Sequence, residues 1–170
     1  MAYTYSKIAT YTVGSGGIAS IDFTSIPQTY TDLCLKVSLR SAAASVNPGL
    51  LIKFNGSAIG FTGRNVYGTG SAAASYSDTS GEIGILAGNN ATANTFGNAE
   101  IYIPNYAGSN YKSFSVDSLN ENNATSANQY LYANLWSNTA AITSITLLSG
   151  GSVNFLQYST AHLYGIKAEV

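Results

Sequence analysis

The ten residues from Asp32 to Ser41 read DLCLKVSLRS, with Leu33, Leu35, Val37 and Leu39 at every second position and Cys34, Lys36, Ser38 and Arg40 between them. Side chains on an extended backbone alternate between two faces, so this spacing predicts a strand with one side in a core. The next apolar run, GLLIKFNGS at 49 to 57, sets Leu50, Ile52 and Phe54 against Leu51 and Lys53. It stops at Asn55-Gly56, a dipeptide that accepts the positive φ of a tight hairpin turn. The same period of two recurs in YSKIATYTV (5 to 13), GIASIDF (17 to 23), GEIGILA (81 to 87), NAEIYIPNY (98 to 106), YKSFSVDSL (111 to 119), QYLYANLW (129 to 136), ITSITLLS (142 to 149) and TAHLYGIKAE (160 to 169).

Between these runs lie stretches of turn formers: GSGG at 14 to 17, GTGSAAASYSDTSG at 68 to 81, AGNNATANTFGN at 87 to 98 and NENNATSANQ at 120 to 129. The alanine clusters at 42 to 44 and 72 to 74 are too short to nucleate a helix and carry no amphipathic stripe. About eight to ten short strands joined by polar turns predict an all-β chain, a jelly-roll-like antiparallel β-sandwich. At 170 residues, with no linker or repeat, the expectation is one domain over 1 to 170.

Charged residues make up only 9% of the chain, where an average soluble domain has about 25%. The surface must therefore be built from Ser, Thr, Asn, Gly and Tyr. A net charge of −1 offers little electrostatic opposition to self-association. The seven Lys and Arg, at 7, 36, 40, 53, 64, 112 and 167, form no basic stripe, which argues against a nucleic-acid partner. No run nears the roughly 18 apolar residues of a membrane span, and the opening MAYTYSKIATYTV reads as mature domain rather than leader.

Two strands carry apolar groups on both faces. In QYLYANLW, Leu131, Ala133 and Leu135 share one side while Tyr130, Tyr132 and Trp136 share the other; in EIYIPNY, Ile101 and Ile103 oppose Tyr102 and Pro104. A strand of a lone sandwich needs one wet face, so the aromatic faces call for cover by another subunit, a folded-back loop or a glycan. Tyr and Trp are enriched at subunit interfaces, which makes Tyr102, Tyr130, Tyr132 and Trp136 the candidate contacts.

Catalytic chemistry needs convergent titratable groups, and none converge here. The one histidine, His162, sits mid-strand in TAHLYGIK, without a GxSxG elbow or a second metal-type ligand, so it reads as an ordinary strand residue. Cys34 is the sole cysteine and falls within the alternating run, so it too reads as structural. The eight acids are dispersed, with no pair set up by spacing for glycoside hydrolysis. The glycine stretches lack the lysine and following helix of a phosphate cradle. No catalytic residue, metal ligand or cofactor is assigned.

GSGGIASIDFTSIPQTYTDLCLKVSLRS, IKFNGS, NVYGTGS, YIPNYAGSNYKSFS, LWSNTAAITSITL and QYSTAHLYGIK together span nearly the whole chain. In these stretches it resembles the small virion-associated structural proteins of tailed bacteriophages, notably those of aquatic bacteria. The resemblance implies a non-enzymatic jelly-roll-like module located in the virion, serving as capsid decoration, head fibre or tail fibre. Its expected partners are further copies of itself, with a trimer favoured, and other virion proteins such as the major capsid protein. The alternative is a tail-fibre receptor-binding module that recognises host surface glycans.

Overall fold

The computed structural model describes residues 3–123 and 127–168, so Glu169 of the last run and part of the loop expected at 120 to 129 lie outside the described residues. Twelve strands follow in chain order among the described residues: β1 (Tyr3–Thr12), β2 (Ser20–Phe23), β3 (Asp32–Leu39), β4 (Gly49–Phe54), β5 (Phe61–Gly68), β6 (Ala73–Asp78), β7 (Glu82–Ile85), β8 (Gly97–Pro104), β9 (Lys112–Asn120), β10 (Asn128–Trp136), β11 (Ile145–Ser149) and β12 (Thr160–Ala168). Ten of them are the runs picked out by alternation. β5 and β6 are additional, and β6 falls inside the stretch expected to be a loop.

The strands form a four-stranded sheet, β2-β11-β4-β7, facing an eight-stranded sheet, β1-β12-β3-β8-β9-β10-β5-β6. Set aside the hairpins β5-β6 and β9-β10, and the two sheets become β1-β12-β3-β8 and β2-β11-β4-β7. In that reduced order the chain changes sheet at every step except from β4 to β7. This winding is a jelly roll. The hairpins are insertions, one between β4 and β7 and the other between β8 and β11, and they join each other where β10 pairs with β5 from Gln129↔Gly68 to Trp136↔Phe61.

The deciding run behaves as its alternation requires. Leu33, Leu35, Val37 and Leu39 are buried between the sheets, beside Ile101 and Ile103 of β8 and Leu163 of β12. The turn after β4 places Asn55 at φ 52° and Gly56 at φ 75°, with Ser57 N donating to Phe54 O at 2.9 Å. Both positive values match a hairpin turn whose twist follows that of its strands. On β12 the Tyr30 ring lies directly on Gly165, where a Cβ would meet it, so this strand position needs glycine.

Four rings from four strands tie the insertions to the jelly roll. Phe54 of β4 has its ring centroid 5.4 Å from Phe61 of β5, 5.4 Å from Phe114 of β9 and 5.3 Å from Trp136 of β10. The Trp136 indole N–H donates to the Ile59 carbonyl at 3.2 Å, so its one polar atom is satisfied.

Two of the cations are spent inside. Arg40 is buried, and its guanidinium donates to the carbonyls of Thr92 (2.9 Å), Thr95 (2.8 Å) and Ala91 (3.1 Å), which pins the segment between β7 and β8. The Lys112 ammonium donates to the carbonyls of Gly108 (2.6 Å), Asn110 (2.7 Å) and Thr139 (3.2 Å). Burial holds both groups below their ordinary pKa values. The long loop at 87 to 98 is thus held by a charge rather than left mobile.

Removing a large buried ring costs the transfer free energy and leaves a cavity. Trp136→Ala is expected to lower the unfolding free energy by about 3–5 kcal/mol, as read by denaturant titration. A loss below about 1 kcal/mol, the size of an ordinary surface change, would mean that the ring cluster does not hold the insertions.

Candidate functional site

The four aromatic candidates do not share a surface. On β10 the face bearing Tyr130, Tyr132 and Trp136 points inward, and Leu131, Ala133 and Leu135 point outward. Trp136 is 1% exposed and Tyr132 is 3% exposed, so neither is available to a partner of the folded subunit. The physical reason is area: when both faces are apolar, the face with the larger rings removes more surface from water. Tyr130 is half-buried on the inner face, stacked on Tyr67 at 4.8 Å and on Tyr132 at 5.4 Å. Tyr102 alone faces outward, 38% exposed on β8, and its hydroxyl donates to Asp32 Oδ2 at 2.8 Å.

The stacked tyrosines close the flank of the sandwich where the smaller sheet ends. Tyr76 of β6 meets Tyr67 edge-on at 6.1 Å, and the Tyr76 and Tyr132 hydroxyls both donate to Glu82 Oε1 of β7, the latter at 3.0 Å. Burial, together with the Glu82 carboxylate, pushes both phenols above their ordinary pKa. The cover anticipated for these aromatics therefore comes from within the subunit, through the β5-β6 hairpin and one carboxylate.

What stays uncovered is the opposite side of the same strands. Val66 on β5 and Leu131 on β10 are register partners and are 56% and 53% exposed. With Leu119, Gly68, Ala73 and Ser75 they line an open trough of about 1060 Å³ running from β9 across β10 and β5 to β6. Val66 and Leu131 continue into an adjoining hollow of about 570 Å³, shared with Ala133 and Ser77. Val66 and Leu131 thus form an exposed apolar stretch on the exterior of the subunit. Alternation alone could not reveal it, because β5 carries Gly63 and Asn65 at inward positions and so reads poorly as a strand.

Other reactive groups among the described residues are dispersed, and several are engaged or buried. The His162 ring Nδ1 lies 3.1 Å from the Thr10 hydroxyl on the neighbouring strand. Cys34 is buried opposite Tyr102 and Tyr164 on the adjoining strands, and burial raises its thiol from 9.0 to about 11. Asp22 accepts from Ser20 and Thr146, Asp78 from Ser80, and Glu100 pairs with Lys36 at 2.8 Å. Among the described residues no group of three His, Cys, Asp or Glu side chains is placed to hold a metal ion.

Substituting exposed residues that make no special contact changes stability by about 0.5 kcal/mol or less. The double variant Val66→Ser, Leu131→Ser is expected to keep the wild-type melting temperature within a few degrees while losing retention on a hydrophobic-interaction column. A large drop in melting temperature would show that these side chains are packed rather than presented. Compared with protein-family models, curated proteins and solved structures, the chain matches none of them.

Proposed function

We propose that this chain is a non-enzymatic virion structural protein of the tailed-bacteriophage kind, a self-associating jelly roll that decorates or stabilises the capsid exterior. The observation that carries the reading is the outward trough across β9, β10, β5 and β6, with Val66 and Leu131 more than half exposed on a chain of net charge −1. Such a surface meets little electrostatic opposition when it settles against another copy or against the major capsid protein. The fold supports the same reading only as analogy, since jelly rolls recur in viral capsid and lectin domains and a fold does not by itself carry a function.

The second reading is a tail-fibre module that grips host glycans. It rests on the outward tyrosines at the other end of the large sheet, where Tyr5, half exposed, meets Tyr164 edge-on at 6.3 Å and Tyr102 lies two strands away from Tyr164. Sugar rings stack on exposed aromatics of this sort. Trp136 does not contribute, because it is sealed in the core.

The test is to purify the particles made by the genome that carries this gene and locate the chain on them by labelling with specific antibody. Label on the capsid exterior, reduced for Val66→Arg, is the expected result. Label on the tail with binding to host polysaccharide would favour the glycan module, and absence of the chain from purified particles would overturn the virion reading altogether.

A further inference from the structure

Every open sheet has edges, and an edge strand presents unpaired N–H and C=O groups that invite another strand. Four strands occupy edges here: β1 and β6 in the large sheet, β2 and β7 in the small one. Three of them carry the features that discourage pairing. β1 has Lys7 and a register shift between Lys7 and Ala9. β2 and β7 are four residues each, β2 bears Asp22, and β7 has a register shift against β4.

β6 carries one charge, Asp78 at its last position, and none of the other features. It runs six residues as AASYSD, pairs with β5 in unbroken register from Gly68↔Ala73 to Gly63↔Asp78, and contains no Lys, Pro or bulge. Residues 71 to 77 are exposed. The hairpin turn at Gly70-Ser71 has Gly70 at φ 83° and closes with Thr69 N donating to Ala72 O at 2.9 Å. Because hydrogen-bonded and non-hydrogen-bonded pairs alternate from that point, Ala73, Ser75 and Ser77 are the residues whose backbone groups point away from β5.

We infer that β6 pairs edge to edge with β6 of a second copy, antiparallel about a two-fold axis, in the register Ala73↔Ser77 and Ser75↔Ser75. The pairing rests on the self-association in the proposed function and names its surface. This register uses all three outward-pointing residues, and it sets each Tyr76 ring opposite the small Ala74 of the other copy rather than opposite Tyr76. It also brings no charged residue against a like charge, since Asp78 falls opposite Ala72. A two-fold contact is isologous, with the same patch used by both subunits, and the edge from Ala73 to Ser77, which carries no charge, is self-complementary in that sense. The two large sheets then join into one, and the apolar troughs beside β6 run on from copy to copy. Edge pairing joins copies in twos, so a trimer would need a different surface.

The experiment is sedimentation of the wild type and of two single variants, Ser75→Lys and Ser75→Glu, with circular dichroism to check that each is folded. At the two-fold axis each variant places like charges directly opposite one another, which destabilises the pair. The wild type is expected to sediment as a dimer, each variant alone as a monomer, and an equal mixture of the two variants as a dimer again. Recovery in the mixture cannot come from a folding defect. A monomeric wild type, an oligomer that both variants leave unchanged, or a mixture that stays monomeric would each overturn the pairing. The antibody label on purified particles is independent of all three results, so the pairing and the virion reading can fail separately.

Discussion

The contact among Phe54, Phe61, Phe114 and Trp136 is the constraint on which the rest of the molecule depends. A jelly roll needs only eight strands to close its core, and here two further hairpins must be held to it without a second sheet to cover them. The four rings do this at one point, each supplied by a different strand, and the tyrosine stack on Glu82 continues the seal to the edge of the large sheet. Once the inner face of the insertions is closed in this way, their outer face and last edge are left for something else. The trough over Val66 and Leu131 and the open strand β6 follow from that one packing solution.

Scarcity of charge shapes the molecule as much as its apolar pattern. Of seven basic residues, Arg40 and Lys112 are withdrawn to tie down loops through backbone carbonyls. Among the described residues a single ion pair, Lys36 with Glu100, remains on the exterior. Burying a cation costs solvation, and here three carbonyl acceptors offset that cost for each of the two. The loop at 87 to 98 and the turns around Gly108, Asn110 and Thr139 are thereby tied down by backbone contacts. The exterior that results is short of the alternating charges that usually keep copies apart, and this lowers the electrostatic opposition to the self-association we propose.

Much of the fold was legible because the jelly-roll strands follow a strict period of two. The run at 32 to 39 has four aliphatic side chains on one face, and Asn55-Gly56 fixes a turn that the backbone angles reproduce. β5 and β6 escaped the same logic. Gly63 and Asn65 occupy inward positions on β5, and β6 is an exposed edge of small residues whose composition is that of a loop. Those two strands build the candidate surface, so the site was less readable than the scaffold. QYLYANLW shows the other limit: with apolar groups on both faces, alternation states that two faces exist but not which one is inside. Size decided it, in favour of the rings. Tyr102, by contrast, faces outward as its alternation with Ile101 and Ile103 requires.

The central claim is that the inserted hairpins seal their own aromatics and offer their outer side to a partner. Cryo-electron microscopy of the particles on which we propose the protein assembles tests this most directly. The account predicts that Val66, Leu131 and the β6 backbone lie in a protein contact while Trp136 and Tyr132 keep the packing described above. A map in which the β5-β6 hairpin stands free in solvent, with contacts made through the Tyr5 and Tyr164 end of the sheet, would contradict it.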